Sequence, residues 1–385
     1  MTGDFNSVKT RLLDEPVFWI DPQQINQVAN FTKGVYGEKG AFLTKSQFRA
    51  ERDRLREKGH DPGDWDLTPR PFSKEPFFDV IFAWDNGSDY KQTRSWKGSV
   101  DKWGEEKAEV VFARWRKMYE DMKENGYRAK NAASPWNEYV LVYIGRTGEL
   151  LFYQGRHRLT MAQHLGIESI PVKVGLRHTE WHNFRKAVQK YASTHNGQIY
   201  SPIKHPDFAT FTTKWTDYRG DLILQYINPA SHTVLDIGAH WGYFSELLAE
   251  TGRFCIAIEK AQSMFYFLHM VSRMHGKAGF NVVNSGINQF LQDNGGRFDC
   301  VIALNIFHHF LKDVAGWNML VDVAENLNCN EMFFQMANDK TLGKFGGGWK
   351  KTADVLALLS SKAGLKNQKE IGREHNRTIY HLTRR

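Results

Sequence analysis

The chain has few cysteines and no cysteine pattern. Only Cys255, Cys300 and Cys329 occur in 385 residues, and their spacing fits neither a metal site nor a disulfide framework. Two of them lie in apolar, strand-like runs, which indicates buried free thiols in a reducing compartment. No run approaches the ~18 apolar residues that a membrane-spanning helix needs, and the first ten residues lack the apolar core of a signal peptide. We therefore expect a cytoplasmic protein without a membrane span.

Dense blocks of one charge are also absent. The net charge is +8, and residues 1–204 carry 32 Lys and Arg against 26 Asp and Glu, so the excess lies mainly in the N-terminal half. This mild excess permits a phosphate-bearing partner without requiring one. Aromatic residues, by contrast, make up 14% of the chain and include 12 tryptophans. Burial in cores or at a domain seam is the simpler interpretation of these rings, and a stacking surface for sugars or bases is the alternative.

The order of apolar runs predicts three regions. Residues 1–130 form an extension of unknown role, packed on the next domain, with helices over 46–58 and 105–125 and a loop over 61–76. In the α+β region 131–200, the segments EYVLVYIG, LLFYQ and IPVKVGLRH read as strands, with a short helix over GRHRLTMAQHLG. In the last region, 201–385, strands and helices alternate, which is typical of a doubly wound parallel α/β sheet.

The segment VLDIGAHWGYFSELLAETG indicates a nucleotide-cofactor site. A β-branched strand delivers Asp236 at its carboxyl end, and Gly238 and Gly242 let the backbone turn tightly and approach a ligand. About twenty residues further on, the strand FCIAIE ends in Glu259, where an acid can accept hydrogen bonds from ribose hydroxyls. A dinucleotide remains a rival ligand at this level, although the third glycine that it favours is missing near Phe244.

DIGAHWG is similar to motif I of class I methyltransferases, which has the form D/E-x-G-x-x-x-G. Asp236, Gly238 and Gly242 match it, while His240 stands where many members carry a glycine. The resemblance implies a Rossmann-like fold that binds S-adenosylmethionine. The cofactor-binding residues that it implies are Asp236, Gly238, Ala239, His240, Gly242, Tyr243, Phe244, Glu259 and Asn305.

The segment FDCVIALNIFHHFLKD continues this resemblance on the acceptor side. The NIFHHF form resembles glycan-capping and small-molecule methyltransferases more than the amino methyltransferases with N/D-P-P-Y. It implies catalytic roles for Asn305, His308 and His309. A hydroxyl acceptor benefits from a histidine base, and we expect His308 rather than His309 in that role, because adjacent side chains do not reach one spot.

Residues Val140 to Trp181 resemble the ParB/sulfiredoxin-like fold. The match rests on GRHR at 155–158, which opens a helix, followed by LGI-x-x-IPV. The resemblance implies a nucleotide or phosphate site at Gly155, Arg156, His157 and Arg158, with ATP and Mg as candidate ligands and kinase activity as one outcome. Gln154 stands where an acidic residue often occurs in that fold.

These patterns favour a methyltransferase that methylates a hydroxyl or phosphate on a glycan or small metabolite, joined to a nucleotide-binding or kinase domain. One alternative is an RNA or DNA methyltransferase whose ParB-like half binds nucleic acid. The other is a nucleotide-responsive protein that binds S-adenosylmethionine without turnover. No metal-binding residues are predicted.

Overall fold

The computed structural model describes residues 15–30, 59–72, 77–129, 139–215, 218–274, 276, 279–336, 350–374 and 376–384. The chain divides into two compact units. The N-terminal unit comprises Met1–Gln189 and Lys204–Thr210, and the C-terminal unit comprises Lys190–Ile203 and Phe211–Arg385. The three-region division made from the sequence stays a prediction.

The N-terminal unit is built on one mixed sheet. Its strands are β1 (Phe18–Ile20), β2 (Gln27–Val28), β3 (His60–Asp61), β4 (Arg70–Pro71), β5 (Val140–Ile144), β6 (Leu150–Gln154) and β7 (Ile170–His178). They lie in the order β1-β7-β5-β6-β2-β4, and β3 also pairs with β7. Strand β5 is antiparallel to β6 and parallel to β7. A parallel neighbour needs a crossover connection, and helix α4 (Arg156–His164) lies in the segment that makes it.

Four further helices belong wholly or mostly to this unit. They are α1 (Phe77–Asn86), α2 (Arg94–Trp103), α3 (Glu105–Asn125) and α5 (Thr179–Thr194). Thr93 caps α2 by accepting a hydrogen bond from the Trp96 backbone N–H, which satisfies one of the free donors at the start of the helix. The Trp96 and Phe112 rings meet edge to face at 5.0 Å and join α2 to α3. Trp65 and Trp96 are only 1% and 5% exposed, so the core interpretation is confirmed for these two tryptophans.

Most elements predicted for the N-terminal half are confirmed. The strand–strand–helix–strand–helix order of β5, β6, α4, β7 and α5 is observed, as is the helix over 105–125. The predicted helix over 46–58 lies outside the described residues. The predicted loop 61–76 contains short strand segments: Asp61 belongs to β3, and Arg70–Pro71 form β4. Strands of two residues are too short to show an alternating side-chain pattern in the sequence. Membership in the ParB/sulfiredoxin-like fold stays a prediction.

The C-terminal unit contains a larger sheet. After the small pair β8 (Gln198–Ile199) and β9 (Thr212–Thr213), its strands are β10 (Thr233–Ile237), β11 (Phe254–Ile258), β12 (Asn281–Val283), β13 (Arg297–Leu304), β14 (Asn328–Gln335), β15 (Asn367–Glu374) and β16 (Arg377–Thr383). Their order is β12-β11-β10-β13-β14-β16-β15. The first five strands are parallel, in the 3-2-1-4-5 order of a doubly wound sheet. Strand β16 runs antiparallel between β14 and β15.

Helices cover this sheet between the strands. They are α6 (Tyr218–Tyr226), α7 (Tyr243–Ala249), α8 (Gln262–Arg273), α9 (Ile287–Asn294), α10 (Val314–Asn326) and α11 (Thr352–Ser361). The central strands read as continuous apolar runs because they are buried on both faces: Leu235, Val301, Ile302 and Phe334 have no exposed surface. The predicted α/β fold with a parallel, Rossmann-like sheet is therefore confirmed.

The three cysteines are buried free thiols, as the sequence predicts. Over the described ranges, no helix combines the length and the apolar character that crossing a bilayer requires.

Candidate functional site

Three predicted site residues lie at one edge of the C-terminal sheet. Asp236 is the penultimate residue of β10, Glu259 directly follows β11, and Asn305 directly follows β13. These three strands are parallel neighbours, so their carboxyl ends meet. In open α/β sheets this is the edge at which ligands bind.

Two glycines shape the loop between β10 and α7. The φ angle is 68° at Gly238 and 84° at Gly242, a region that residues with a Cβ rarely adopt. A Cβ on Gly238 would lie 2.6 Å from Ile306 Cδ1, and one on Gly242 would lie 2.7 Å from Phe280 Cζ. Gly238 lines two cavities at this edge, whereas Gly242 begins α7 beside the buried Phe280 ring. Gly238 thus permits the close approach of Ile306 in the cavity wall, and Gly242 permits close helix packing.

His240 lies at the centre of the same loop and has a φ of 55°. This left-handed backbone is the physical reason why glycine suits the position. The imidazole stacks on Tyr200 with ring centroids 3.6 Å apart. Burial lowers the pKa of His240 to about 3, so the ring is neutral at pH 7. Its backbone N–H donates to Glu259 Oε2 at 3.1 Å, which ties the loop to the end of β11.

The first cavity, called here the Glu259 cavity, has a volume of about 620 Å³. Glu259 accepts backbone hydrogen bonds from His240 and, at 2.7 Å, from Ala261. A carboxylate has about four acceptor sites, so capacity remains for hydroxyl groups of a ligand. The other lining residues are mostly apolar or small: Ile237, Gly238, Ile258, Lys260, Ala261, Ser285, Gly286, Ile287, Ile306, His309, Phe310, Gly316 and Met319.

The second cavity is a narrow space of about 30 Å³ beside Asp236, called here the Asp236 pocket. The Asp236 carboxylate is buried and accepts a hydrogen bond from Ser245 Oγ at 2.7 Å. Burial raises the pKa of Asp236 to about 7, since a lone charge is costly in a dry environment. The lining includes four further residues predicted from the motif: Ala239, His240, Tyr243 and Phe244.

Three aromatic or charged residues of the Asp236 pocket are absent from the sequence prediction: Tyr200, Trp215 and Arg219. The Arg219 guanidinium lies 4.6 Å from the Trp215 ring centre and 5.0 Å from that of Phe244. Its Nε lies 2.8 Å from Glu374 Oε2, while burial lowers the pKa of Arg219. All three precede the glycine loop and share no motif with it. Helix α6, YRGDLILQY, mixes polar and apolar residues, so its arginine carries no distinctive sequence signal.

Asn305 lies beside the cavities but lines neither. It has a φ of 59°, and its side chain donates to Gln335 Oε1 at 2.7 Å and accepts from Arg377 at 2.9 Å. Gln335 is fully buried at the end of β14. Asn305 therefore links the ends of β13, β14 and β16, and its amide is already engaged by the protein.

The histidine pair occupies a 3₁₀ turn at Phe307–Phe310. The two rings lie side by side, 4.1 Å apart, but only His309 lines the Glu259 cavity. Burial lowers the pKa of both residues, that of His308 to about 4. Both rings are thus neutral at pH 7.

The N-terminal unit has a separate cavity of about 640 Å³ at the start of α4. Gly155, Arg156, His157 and Arg158 all line it. Gly155 has a φ of 95° and begins the helix without a side-chain cap, which leaves backbone N–H groups available. Sequence reasoning missed Trp115, whose ring stacks on His157 at 3.6 Å. No cluster of three or more metal-binding side chains occurs among the residues that the structure describes.

No protein-family model matches the sequence, and no curated protein matches it significantly. Among solved structures, the bifunctional kinase-methyltransferase WbdD is 20% identical with a TM-score of 0.43; the match covers 51% of this chain and 46% of that one. The N-terminal domain of EvdMO1 with SAH bound is 15% identical with a TM-score of 0.38, covering 52% and 97%. The chain thus matches about half the length of WbdD. At these values the likenesses establish no function.

Proposed function

We propose that the C-terminal unit is a class I methyltransferase that binds S-adenosylmethionine at the β10–β11–β13 edge. The observation that carries this proposal is the pair of acids at adjacent strand ends, Asp236 and Glu259, on either side of the positive-φ glycine Gly238. Motif I of class I methyltransferases has an acid and a glycine in this arrangement. The two acids suit a ligand that bears a diol at one end and a cation at the other.

Each part of the site has a matching part of the cofactor. Free acceptor capacity on Glu259 suits the two ribose hydroxyls, and the apolar walls contributed by Ile258 and Ile287 suit a flat adenine ring. Asp236, once ionised, suits the ammonium of the methionine end, and the Tyr243 and Phe244 rings beside it suit positive charge. When bound, the cofactor supplies an electrophilic methyl group on a sulfonium.

We further propose that the acceptor atom is a hydroxyl or phosphate oxygen on a glycan or small metabolite. The protein's task is then to align the acceptor with the methyl group and to remove a proton from a hydroxyl. His309 lies in the cavity wall, and His308 lies next to it, so both are candidates for the base. Their lowered pKa values keep them unprotonated at neutral pH.

The N-terminal unit has a different role in this proposal, namely to bind a phosphorylated ligand at Gly155–Arg158. The support is that all four residues line one cavity at an uncapped helix start, where backbone N–H groups and arginines attract anions.

Calorimetric titration of the full chain with S-adenosylhomocysteine and NAD tests the cofactor proposal. We expect S-adenosylhomocysteine to bind and Asp236→Asn to weaken it about tenfold, since a charge-assisted contact is lost. Asp293→Asn, the same change at an exposed site on α9, serves as the control. Binding of NAD without S-adenosylhomocysteine would make the fold a dehydrogenase-like one and overturn the proposal.

Transfer of a labelled methyl group from the cofactor to pooled glycans, small metabolites or RNA then identifies the acceptor. Label in the glycan or metabolite fraction supports the proposed acceptor. Label in RNA alone supports the nucleic-acid alternative, and cofactor binding without transfer to any fraction favours a protein that only senses the cofactor.

A further inference from the structure

Two cavities of the N-terminal unit share one wall. The first, at the start of α4, has a volume of about 640 Å³, and the second, between α2 and α3, about 790 Å³. Arg114, Trp115, Arg156 and His157 line both. We call the combined space the basic cleft. Volumes of this order suit small molecules rather than a polymer.

Six cationic side chains line the basic cleft, from three helices. They are Arg94 and Lys102 on α2, Lys107 and Arg114 on α3, and Arg156 and Arg158 on α4. No carboxylate of the described residues pairs with Arg94, Lys102, Lys107, Arg114 or Arg158. The positive charge of these five side chains creates a potential that concentrates anions.

The face that α2 presents to the cleft is suited to oxygen-rich groups. Arg94, Ser95, Gly98, Ser99 and Lys102 fall at positions that share one side of a helix. At 1.5 Å per residue, Arg94 and Lys102 are about 12 Å apart along the axis, and Lys107 and Arg114 on α3 about 10 Å apart. A positive wall of this length is longer than one phosphate group needs.

The centre of the shared wall is an uncharged stack of aromatic rings. The His157 ring stacks on Trp115 at 3.6 Å and meets the edge of Phe77 at 4.4 Å. Burial, together with the nearby arginines, lowers the pKa of His157 to about 3, so the ring carries no charge. The ligand's negative charge is therefore balanced by the arginines and lysines around the stack.

The basic cleft does not suit magnesium. Protein sites for Mg²⁺-nucleotide complexes hold the metal through one or two carboxylates. Neither Asp nor Glu occurs among the described residues that line the two cavities. The Mg that the sequence resemblance implies for this domain therefore finds no carboxylate in the described lining.

We propose that the basic cleft binds a small molecule that carries a pyrophosphate group, and that it does so without a divalent metal. The inference rests on the phosphate-binding role proposed for Gly155–Arg158 and narrows its ligand. Nucleoside diphosphates and inorganic pyrophosphate share this chemistry, and titration of each distinguishes them.

Calorimetry of the full chain with ADP, inorganic pyrophosphate and inorganic phosphate, each in EDTA and in excess Mg²⁺, tests the proposal. We expect ADP or pyrophosphate to bind about tenfold more tightly in EDTA, because Mg²⁺ cancels two of the ligand's charges. Inorganic phosphate should bind more weakly than either. Tighter ADP binding than pyrophosphate binding would identify a nucleotide ligand.

A pair of charge-matched double variants locates the site. Lys102→Ala/Lys107→Ala removes two lining cations and should weaken binding about tenfold. Lys97→Ala/Lys117→Ala removes the same charge from exposed positions of the same two helices outside the lining, and should change affinity less than about twofold. Equal effects of the two variants would show that only net charge matters and would overturn the proposal.

The remaining outcomes distinguish a failure of the metal-free pyrophosphate site from a failure of the broader phosphate-binding role. Binding that requires Mg²⁺, or that is as tight for phosphate as for pyrophosphate, would overturn the metal-free pyrophosphate site and leave a phosphate-binding role standing. No binding of any of these anions would overturn both. Tighter binding of a single-stranded oligonucleotide than of ADP would replace the small ligand with nucleic acid.

Discussion

The two units build their candidate sites with the same backbone device but with different charged groups at the turn. In each, a strand ends, a glycine at positive φ turns the chain, and a helix begins within a few residues: Gly155 before α4, and Gly238 and Gly242 before α7. Around Gly155 the side chains are arginines and lysines. Around Gly238 the charged groups at the strand ends are Asp236 and Glu259.

The turn is common to both sites, and the side chains around it are what distinguish them. A helix start favours anions in both units through its N–H groups. In the cofactor site proposed for the C-terminal unit, two carboxylates would oppose that preference and select for hydroxyl and ammonium groups. In the phosphate site proposed for the N-terminal unit, the lining cations would reinforce it and select for phosphates.

The largest effect is expected for a substitution of Glu259 in the C-terminal unit. Glu259→Ala should weaken S-adenosylhomocysteine binding by about 100-fold, because two charge-assisted contacts to a diol are lost. Pyrophosphate binding should not change. Glu250→Ala, at an exposed position after α7, provides the control. Calorimetry with both ligands measures the result, and a parallel loss of both affinities would show that the substitution only unfolds the protein.

The turns themselves should differ in how much a side chain costs. Gly242→Ala should lower the free energy of unfolding by about 2–3 kcal/mol, since a Cβ would meet Phe280 and Leu268 at 2.7 Å. Gly252 also has a φ of 84°, but no atom lies within 4 Å of a Cβ added there, so Gly252→Ala should lower the free energy of unfolding by only about 1 kcal/mol. Urea denaturation compares them. Equal losses would mean that the backbone angle alone decides.

The two sites should also differ in the pH dependence of ligand binding. The pKa of Asp236 lies at about 7 in the folded protein, above its ordinary value of 3.8, so the unliganded fold loses stability as pH rises through 7. A cationic ligand prefers the ionised acid. Affinity for S-adenosylhomocysteine should therefore rise about tenfold between pH 5.5 and 7.5, and Asp236→Asn should abolish the rise. Pyrophosphate affinity should lack this Asp236-dependent rise.

The smallest effect distinguishes the two neighbouring histidines. His309→Ala should weaken S-adenosylhomocysteine binding about threefold, because His309 lines the Glu259 cavity. His308→Ala, one residue away and outside that lining, should leave affinity unchanged. Fluorescence or calorimetric titration can resolve a difference of this size. A larger loss in His308→Ala would place the functional ring on the other side of the turn.

The sequence predicts the central architecture well because its physical signals are local. Strands β10, β11 and β13 are apolar runs followed by turn residues and helices, and the alternation of strands and helices predicted for 201–385 is observed. Strand β15, NQKEIGRE, is missing from the prediction. It pairs only with β16 at the sheet edge and exposes most of its side chains, so it shows no apolar run.

The candidate sites are predictable only where a motif is contiguous. Asp236 and Glu259 follow from strand ends, but Arg219 and Trp115 reach their sites from helices that lie outside the recognised motifs. The choice between His308 and His309 depends on the direction of a 3₁₀ turn, which no periodicity encodes. The engagement of Asn305 by Gln335 and Arg377 likewise depends on tertiary pairing.

In the proposed cofactor site, ligand binding is coupled to ionisation of the buried Asp236 carboxyl group. Near neutral pH it is partly protonated in the empty site, and an incoming ammonium favours its ionised form. Each filling of the pocket then releases a fraction of a proton to the solvent, and each emptying takes it back. The heat measured on binding will accordingly contain the ionisation enthalpy of whichever buffer receives that proton.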